Sequence, residues 1–155
     1  MKLLFVCTHN RCRSIVAEAV ARAVLDDRFE VRSAGSQPAG EVYPGTLVAL
    51  QRHGISATGL MSQSWDAFEL FAPDYVITVC DSAASEACPL WIGAGSKVHW
   101  GLADPSKIAD AAAQSEAFDQ LIDTLKQRFA QVNALEMTMS AAVIQTQLQS
   151  LATEF

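Results

Sequence analysis

The stretch Asp74-Tyr75-Val76-Ile77-Thr78-Val79-Cys80 constrains the fold more than any other in this chain. It is rich in β-branched residues and lacks the polar alternation of a half-exposed strand, so it reads as a central strand buried on both faces. A second short apolar run, from Lys2 to Val6, ends at a polar turn containing Cys7. Beyond that turn Ile15, Val16, Ala19, Val20 and Val24 recur at helical spacing. Phe29-Glu30-Val31-Arg32-Ser33 reads as another strand and Ala34-Gly35-Ser36-Gln37-Pro38-Ala39-Gly40 as loop. Pro44 opens a helix whose apolar face is marked by Leu47, Val48 and Leu50 and which stops before Gly54. Val98-His99-Trp100 is a shorter fourth strand, followed by an Asp104-Pro105 turn. A long amphipathic helix carries Phe118, Leu121, Ile122, Leu125 and Phe129, and residues 137–151 form one more.

Strands alternating with helices give an α/β fold, a parallel sheet covered by helices on both faces. Ligands of such sheets bind beyond the carboxyl ends of the strands. Cys7 and Cys80 both fall at such ends, which places the two thiols on one edge of the molecule. The 155 residues, half of them apolar, are enough for one domain spanning 1–155 with a full core, and no repeat or linker divides them.

The formal charge of −6 and the scatter of the eleven basic residues exclude a nucleic-acid surface. No run approaches the ~20 apolar residues of a membrane span, and Cys7 interrupts the N-terminus before a signal-peptide core develops. A cytoplasmic setting follows, and in it the four cysteines, Cys7, Cys12, Cys80 and Cys88, are expected as catalytic or redox thiols. Their spacings, with three dispersed histidines, fit zinc poorly.

The sharpest motif is Cys7-Thr8-His9-Asn10-Arg11-Cys12-Arg13-Ser14, a C-x5-R-S loop between a strand and a helix. Backbone N–H groups of Thr8, His9, Asn10, Arg11 and Cys12, together with a helix N-terminus, converge in such a loop on a tetrahedral oxyanion. Arg13 adds a planar fork able to clamp two of its oxygens. The same positive surroundings should lower the pKa of Cys7, whose thiolate is the nucleophile, and Ser14 is placed to donate a hydrogen bond to it. Against this, C-x5-R alone occurs by chance, and cysteine is a common buried residue.

At these residues the chain resembles the low-molecular-weight tyrosine phosphatase superfamily, and within it the arsenate reductase branch. The resemblance rests on Leu4-Phe5-Val6 leading to Cys7, the C-x-x-N-x-C-R-S core, Ala17-Glu18, Ser33-Ala34-Gly35 and Asp104-Pro105. Ser62-Gln63-Ser64-Trp65-Asp66, Val79-Cys80-Asp81 through Cys88-Pro89, and His99-Trp100-Gly101 look more like the reductases. It implies a four-stranded parallel sheet of low-molecular-weight phosphatase type, Cys7 as nucleophile, Arg13 as clamp, Asn10 shaping the loop and Asp104 as the acid. For the reductase branch it further implies that a thiol at Cys80 attacks the cysteine–arsenic adduct. A thiol at Cys88 then draws the disulfide to the surface; the electron donor there stays open between thioredoxin, glutathione with glutaredoxin, and another low-molecular-weight thiol. In some reductases residues matching Asn10, Glu18, Ser33 and Asp66 surround a potassium ion; the same residues equally form a network supporting the loop.

Three positions depart from the phosphatase pattern: His9 replaces a small residue, Ile15 a proline, and Ser106 a tyrosine after Asp104-Pro105. The last change removes an aromatic wall for a phosphotyrosine ring. Cys12 either pairs with Cys7 in a redox step or packs under the loop, His9 reads as an exposed loop residue, and Trp65 and Trp100 read as core or rim aromatics. Besides arsenate reduction, two readings stay open: a phosphatase of phosphotyrosine or small phosphate esters, and a non-catalytic oxyanion-binding or redox-sensing protein.

Overall fold

The computed structural model describes residues 1–80 and 96–155. Four strands, β1 (Lys2–Val6), β2 (Glu30–Ala34), β3 (Tyr75–Thr78) and β4 (Ser96–His99), form one sheet in the order β2-β1-β3-β4, all parallel. The described helices are α1 (Arg13–Val24), α2 (Pro44–Arg52), α3 (Ala111–Asn133) and α4 (Ala141–Glu154), with short 3-10 turns at Trp65–Phe68 and Pro105–Lys107. Among the described residues no helix is long and apolar enough to cross a membrane.

Consecutive residues of a strand point to opposite faces, so the burial of every residue of β3 and of Leu3 to Val6 in β1 shows that both faces of the sheet are covered. α1 packs on α3 and β2, while α4 lies against β4. Phe5 on β1 meets Trp100 at 6.3 Å and Phe129 of α3 at 5.6 Å between ring centroids, a buried aromatic cluster that joins sheet to helix. Trp100 also donates from Nε1 to the Leu148 carbonyl of α4, and the buried guanidinium of Arg128 donates to the carbonyls of Trp100, Ala152 and Phe155.

Element types agree with the sequence pattern, with boundaries displaced by a few residues, but the exposed face of α2 does not. Leu47 and Val48 are 41 % and 57 % exposed, and α2 buries Thr46, Ala49 and Leu50 instead. Spacing explains the difference: positions 46, 49 and 50 share one helical face, and Thr46 anchors it by donating from Oγ1 to the Arg11 carbonyl.

Chain order reverses at β1, since α1 leads to β2 on one side while β3 pairs on the other. The crevice beyond the carboxyl end of β1 is therefore the switch point where such sheets bind ligands.

Candidate active site

The segment from Cys7 to Cys12 fills that crevice between β1 and α1. The carbonyls of Thr8, His9 and Arg11 accept from Gln37, Ala39 and Tyr43 N–H groups, each at 2.9 Å. In a trans peptide the next N–H points opposite to the carbonyl, so the N–H groups of His9, Asn10 and Cys12 face the inside of the loop. α1 differs from α3 and α4 in having no side-chain cap, whereas Asp110 and Ser140 cap the other two. Its first-turn donors thus add to the loop's electropositive hollow. Asn10 takes a left-handed φ of 44°, a region asparagine tolerates better than most residues. Gly35 abuts the loop from β2: a Cβ there would sit 2.6 Å from the Thr8 carbonyl oxygen and 2.8 Å from that of Cys7.

Cys7 is buried, with Sγ 2.9 Å from Ser14 Oγ. Asn10 holds the serine, donating from Nδ2 to Ser14 Oγ at 2.8 Å and to Ser33 Oγ at 3.1 Å, while its Oδ1 accepts from Gln63 N–H at 2.8 Å. Because Ser14 Oγ accepts from Asn10, its own proton is available to sulfur, the arrangement that favours a thiolate. Burial acts the other way and raises Cys7 above its ordinary value, against the lowering from Ser14 and from the backbone N–H groups of Ser14 and Asn10. The lowered pKa expected from the sequence is therefore met by its contributors and outweighed by desolvation.

Arg13 donates to the Leu102 carbonyl at 3.0 Å and pairs with Asp104 Oδ2 at 3.3 Å, which brings the clamp and the expected acid together at the mouth. Asp104 Oδ1 accepts from Ser106 N–H at 3.0 Å and from its hydroxyl at 2.6 Å. Arg11, braced over the Tyr43 ring at 4.9 Å, donates to Ser106 Oγ at 3.2 Å. Ser106 thus links the two loops at the position where the phosphatases carry an aromatic ring. The cleft is lined by Thr8, His9, Arg11, Arg13, Cys80, Asp104 and Lys107.

Cys80 follows β3, whose Thr78 pairs in register with Val6, and its buried sulfur lies 3.7 Å from Thr8 Oγ1. The two sequence-predicted thiols therefore share the same edge. Cys88, with the segment from Asp81 to Pro89, lies outside the described residues. Cys7 and Cys12 carry thiols and not a disulfide. Burial pushes Cys12 up to about 12 despite a hydrogen bond with Thr46, which makes it a packed thiol under the loop. His9 is exposed, with Nδ1 3.1 Å from the Gln37 carbonyl.

The residues matched to a potassium site do not fit one. Asn10 turns its amide nitrogen toward Ser33, Ser33 donates its hydroxyl to Glu18 Oε1, and Glu18 Oε2 is paired with Arg22. Asp66 is exposed, and its backbone N–H donates to Ser64 Oγ. Among the described residues no cluster of three or more His, Cys, Asp or Glu side chains gathers as a metal site.

The family model for low molecular weight phosphotyrosine protein phosphatases matches residues 2–145. The chain belongs to that family. It is 38% identical over 104 residues to an arsenate reductase of Bacillus cereus, an alignment covering 67% of this chain and 76% of the relative. An arsenate reductase solved in its phosphate-binding state superposes with a TM-score of 0.71 at 26% identity, over 86% of this chain and 96% of that one. The thioredoxin-dependent arsenate reductase of Corynebacterium glutamicum gives 0.65 at 27% identity, over 86% and 62%. The four-stranded parallel sheet expected from the sequence is the fold these proteins share.

Sequence reasoning gave no role of its own to Gln63, whose backbone fixes the Asn10 amide, and did not find the Arg11–Ser106 link or Arg22 beside Glu18. Only Arg22 left a signal, its i,i+4 spacing from Glu18 on a helix.

Proposed function

We propose that this enzyme is an arsenate reductase that uses Cys7, Cys80 and Cys88 as a thiol relay. The observation that carries the reading is a second buried thiol, Cys80, beside the loop of Cys7 at the carboxyl edge of the sheet. Names of the relatives support the same substrate.

Arsenate sits in the loop against inward N–H groups, with Arg13 moving from its Asp104 pair to bind two oxygens. Ser14 donates to the Cys7 thiolate, which attacks As(V). A sulfur–arsenic bond forms as an arsenic–oxygen bond breaks, and that oxygen leaves as water on taking a proton from Asp104. The Cys80 thiolate then attacks Cys7 Sγ. A disulfide forms, the electron pair of the sulfur–arsenic bond passes to arsenic, and arsenite departs as As(III). Both electrons come from the two thiols. Cys88 exchanges into the Cys7–Cys80 disulfide, and an external dithiol reduces the product. Thioredoxin is the proposed donor, on the analogy of the Corynebacterium protein; glutathione with glutaredoxin is the competing arm of the assay.

One equivalent of arsenate added to the reduced protein should yield arsenite and a disulfide joining two of Cys7, Cys80 and Cys88, detected by mass spectrometry. Cys7→Ser should abolish all chemistry. Cys80→Ser should block arsenate turnover while sparing weak hydrolysis of a chromogenic phosphate ester, since hydrolysis needs water and not a second thiol. Free thiols, no arsenite and brisk ester hydrolysis would make the protein a phosphatase.

A further inference from the structure

Glu18 is an acid inside the core, 2 % exposed on the buried side of α1. An ionised carboxylate at such a place is costly unless it is paired and hydrogen-bonded. Its two oxygens have separate partners: Oε1 accepts the Ser33 hydroxyl at 2.6 Å, and Oε2 meets the guanidinium of Arg22, one turn further along α1. From β2, Arg32 adds positive charge at longer range, although its guanidinium also bonds the Val31 carbonyl and Glu30. Burial still raises Glu18 above its ordinary value, against the lowering by Ser33, Arg22 and Arg32.

The hydrogen bonds leading from Glu18 to the nucleophile have one consistent direction. Ser33 has a single proton and gives it to Glu18, so its oxygen accepts from Asn10 Nδ2 at 3.1 Å. Asn10 cannot present oxygen instead, because Oδ1 is taken by Gln63 N–H. Its second amide proton goes to Ser14 Oγ at 2.8 Å, and the Ser14 proton remains for Cys7 Sγ at 2.9 Å. A protonated Glu18 would offer Ser33 a second donor and leave the Ser33 proton without its acceptor.

We infer that Arg22 is the resident cation of this network, a positioning residue that keeps Glu18 an acceptor and so holds Ser33, Asn10 and Ser14 in the orientation that serves Cys7, with no demand for an alkali-metal ion. The guanidinium occupies the carboxylate oxygen that a bound cation would require. The Arg22 side chain is 38 % exposed, so its outer face stays solvated while its inner face compensates the buried charge. The inference rests on Cys7 being the nucleophile of the proposed reaction, but not on which oxyanion it attacks.

The test uses alkylation of Cys7 by iodoacetamide at neutral pH, followed on its own peptide by mass spectrometry, beside the thermal midpoint. Neither measurement needs arsenate, so failure here is distinct from failure of the reductase reading. Wild-type protein should behave alike in potassium, sodium and tetramethylammonium chloride at equal ionic strength. Arg22→Met should slow Cys7 alkylation by about tenfold, the effect of losing one charge-assisted hydrogen bond at the end of the chain, and Arg22→Lys should recover most of the rate. If Arg22→Met does not fold, Arg22→Gln carries the same comparison. A wild-type rate that rises severalfold in potassium overturns the inference, as does a folded Met or Gln variant alkylated at the wild-type rate.

Discussion

Replacing Ser14 with alanine isolates the contact that most directly sets the reactivity of Cys7. The hydroxyl is fully buried, 2.9 Å from Sγ and held by Asn10 at 2.8 Å, so no solvent donor stands ready to replace it. A hydrogen bond to a charged group contributes about 1.5–3 kcal/mol, which corresponds to a thiolate population lower by roughly tenfold to 150-fold at a pH where the thiol form predominates. The sign follows from the direction of the bond: it favours the anion, and desolvation already pushes Cys7 up. Ser14→Ala therefore removes an opposing contribution and moves the acid limb of the pH profile to higher pH. The assay is kcat/KM for arsenate, with Cys7 alkylation in parallel, across the pH range that both proteins tolerate. Loss should be largest at low pH and shrink as alkalinity restores the thiolate. An unmoved limb with a uniformly lower rate would refute this reasoning and give Ser14 a purely geometric role. Thermal melts should show a loss under either reading, because leaving one Asn10 amide proton unpaired costs a further ~1–3 kcal/mol of stability, so the pH limb is the deciding observation.

Gly35→Ala should cost about 1–3 kcal/mol by overpacking, since its Cβ would meet two loop carbonyl oxygens below 3.0 Å, and oxyanion affinity in a titration calorimeter should fall with it; unchanged affinity would show that the loop tolerates the displacement. Cys12 is raised from 9.0 to about 12 by burial, so its contribution to stability is fully present below pH 9 and lost as pH rises through the folded value, on the order of 4 kcal/mol. Cys12→Ala should start less stable at neutral pH and lose less between pH 9 and 11 in thermal melts, and parallel pH slopes would contradict the burial argument.

Much of this architecture was legible because strands buried on both faces leave an unmistakable pattern, as in residues 74–80 and Lys2–Val6. Cys7, Arg13 and Ser14 were legible because a C-x5-R-S loop has meaning only between a strand and a helix, and the observed β1 and α1 supply that context. Leu47 and Val48 misled because hydrophobicity marks a buried face only when something packs on it, and on α2 the contact with the Arg11 carbonyl selects the Thr46 side. The contact of Gln63 with Asn10 was invisible for another reason: its contribution is a backbone N–H, which no side-chain pattern encodes. The direction of the Cys7 shift depends on desolvation, a property of the packed environment and not of the motif.

The position of Cys80 also follows from topology. β1 has two neighbours, and a second thiol brought beside the Cys7 loop by the sheet comes from the end of one of them. At the end of β2 the chain lies so close to the loop that position 35 has no room for a Cβ, let alone a cysteine. β3 ends differently: Val79 N–H bonds the Val6 carbonyl at 2.9 Å, and Cys80 follows where the chain departs, close enough for its sulfur to meet Thr8. Electrostatics makes the same edge suitable for an anion. The molecule carries a formal −6, yet Arg11, Arg13 and Lys107 line the cleft beside the loop's inward N–H groups. Screening confines the unfavourable long-range field to about 8–10 Å at ordinary ionic strength, so a small oxyanion entering the cleft is governed by these near groups. On the proposed relay, conversion of an oxyanion-binding loop into a reductase asks little new of the fold beyond a thiol at the end of β3 and a route for the resulting disulfide to leave.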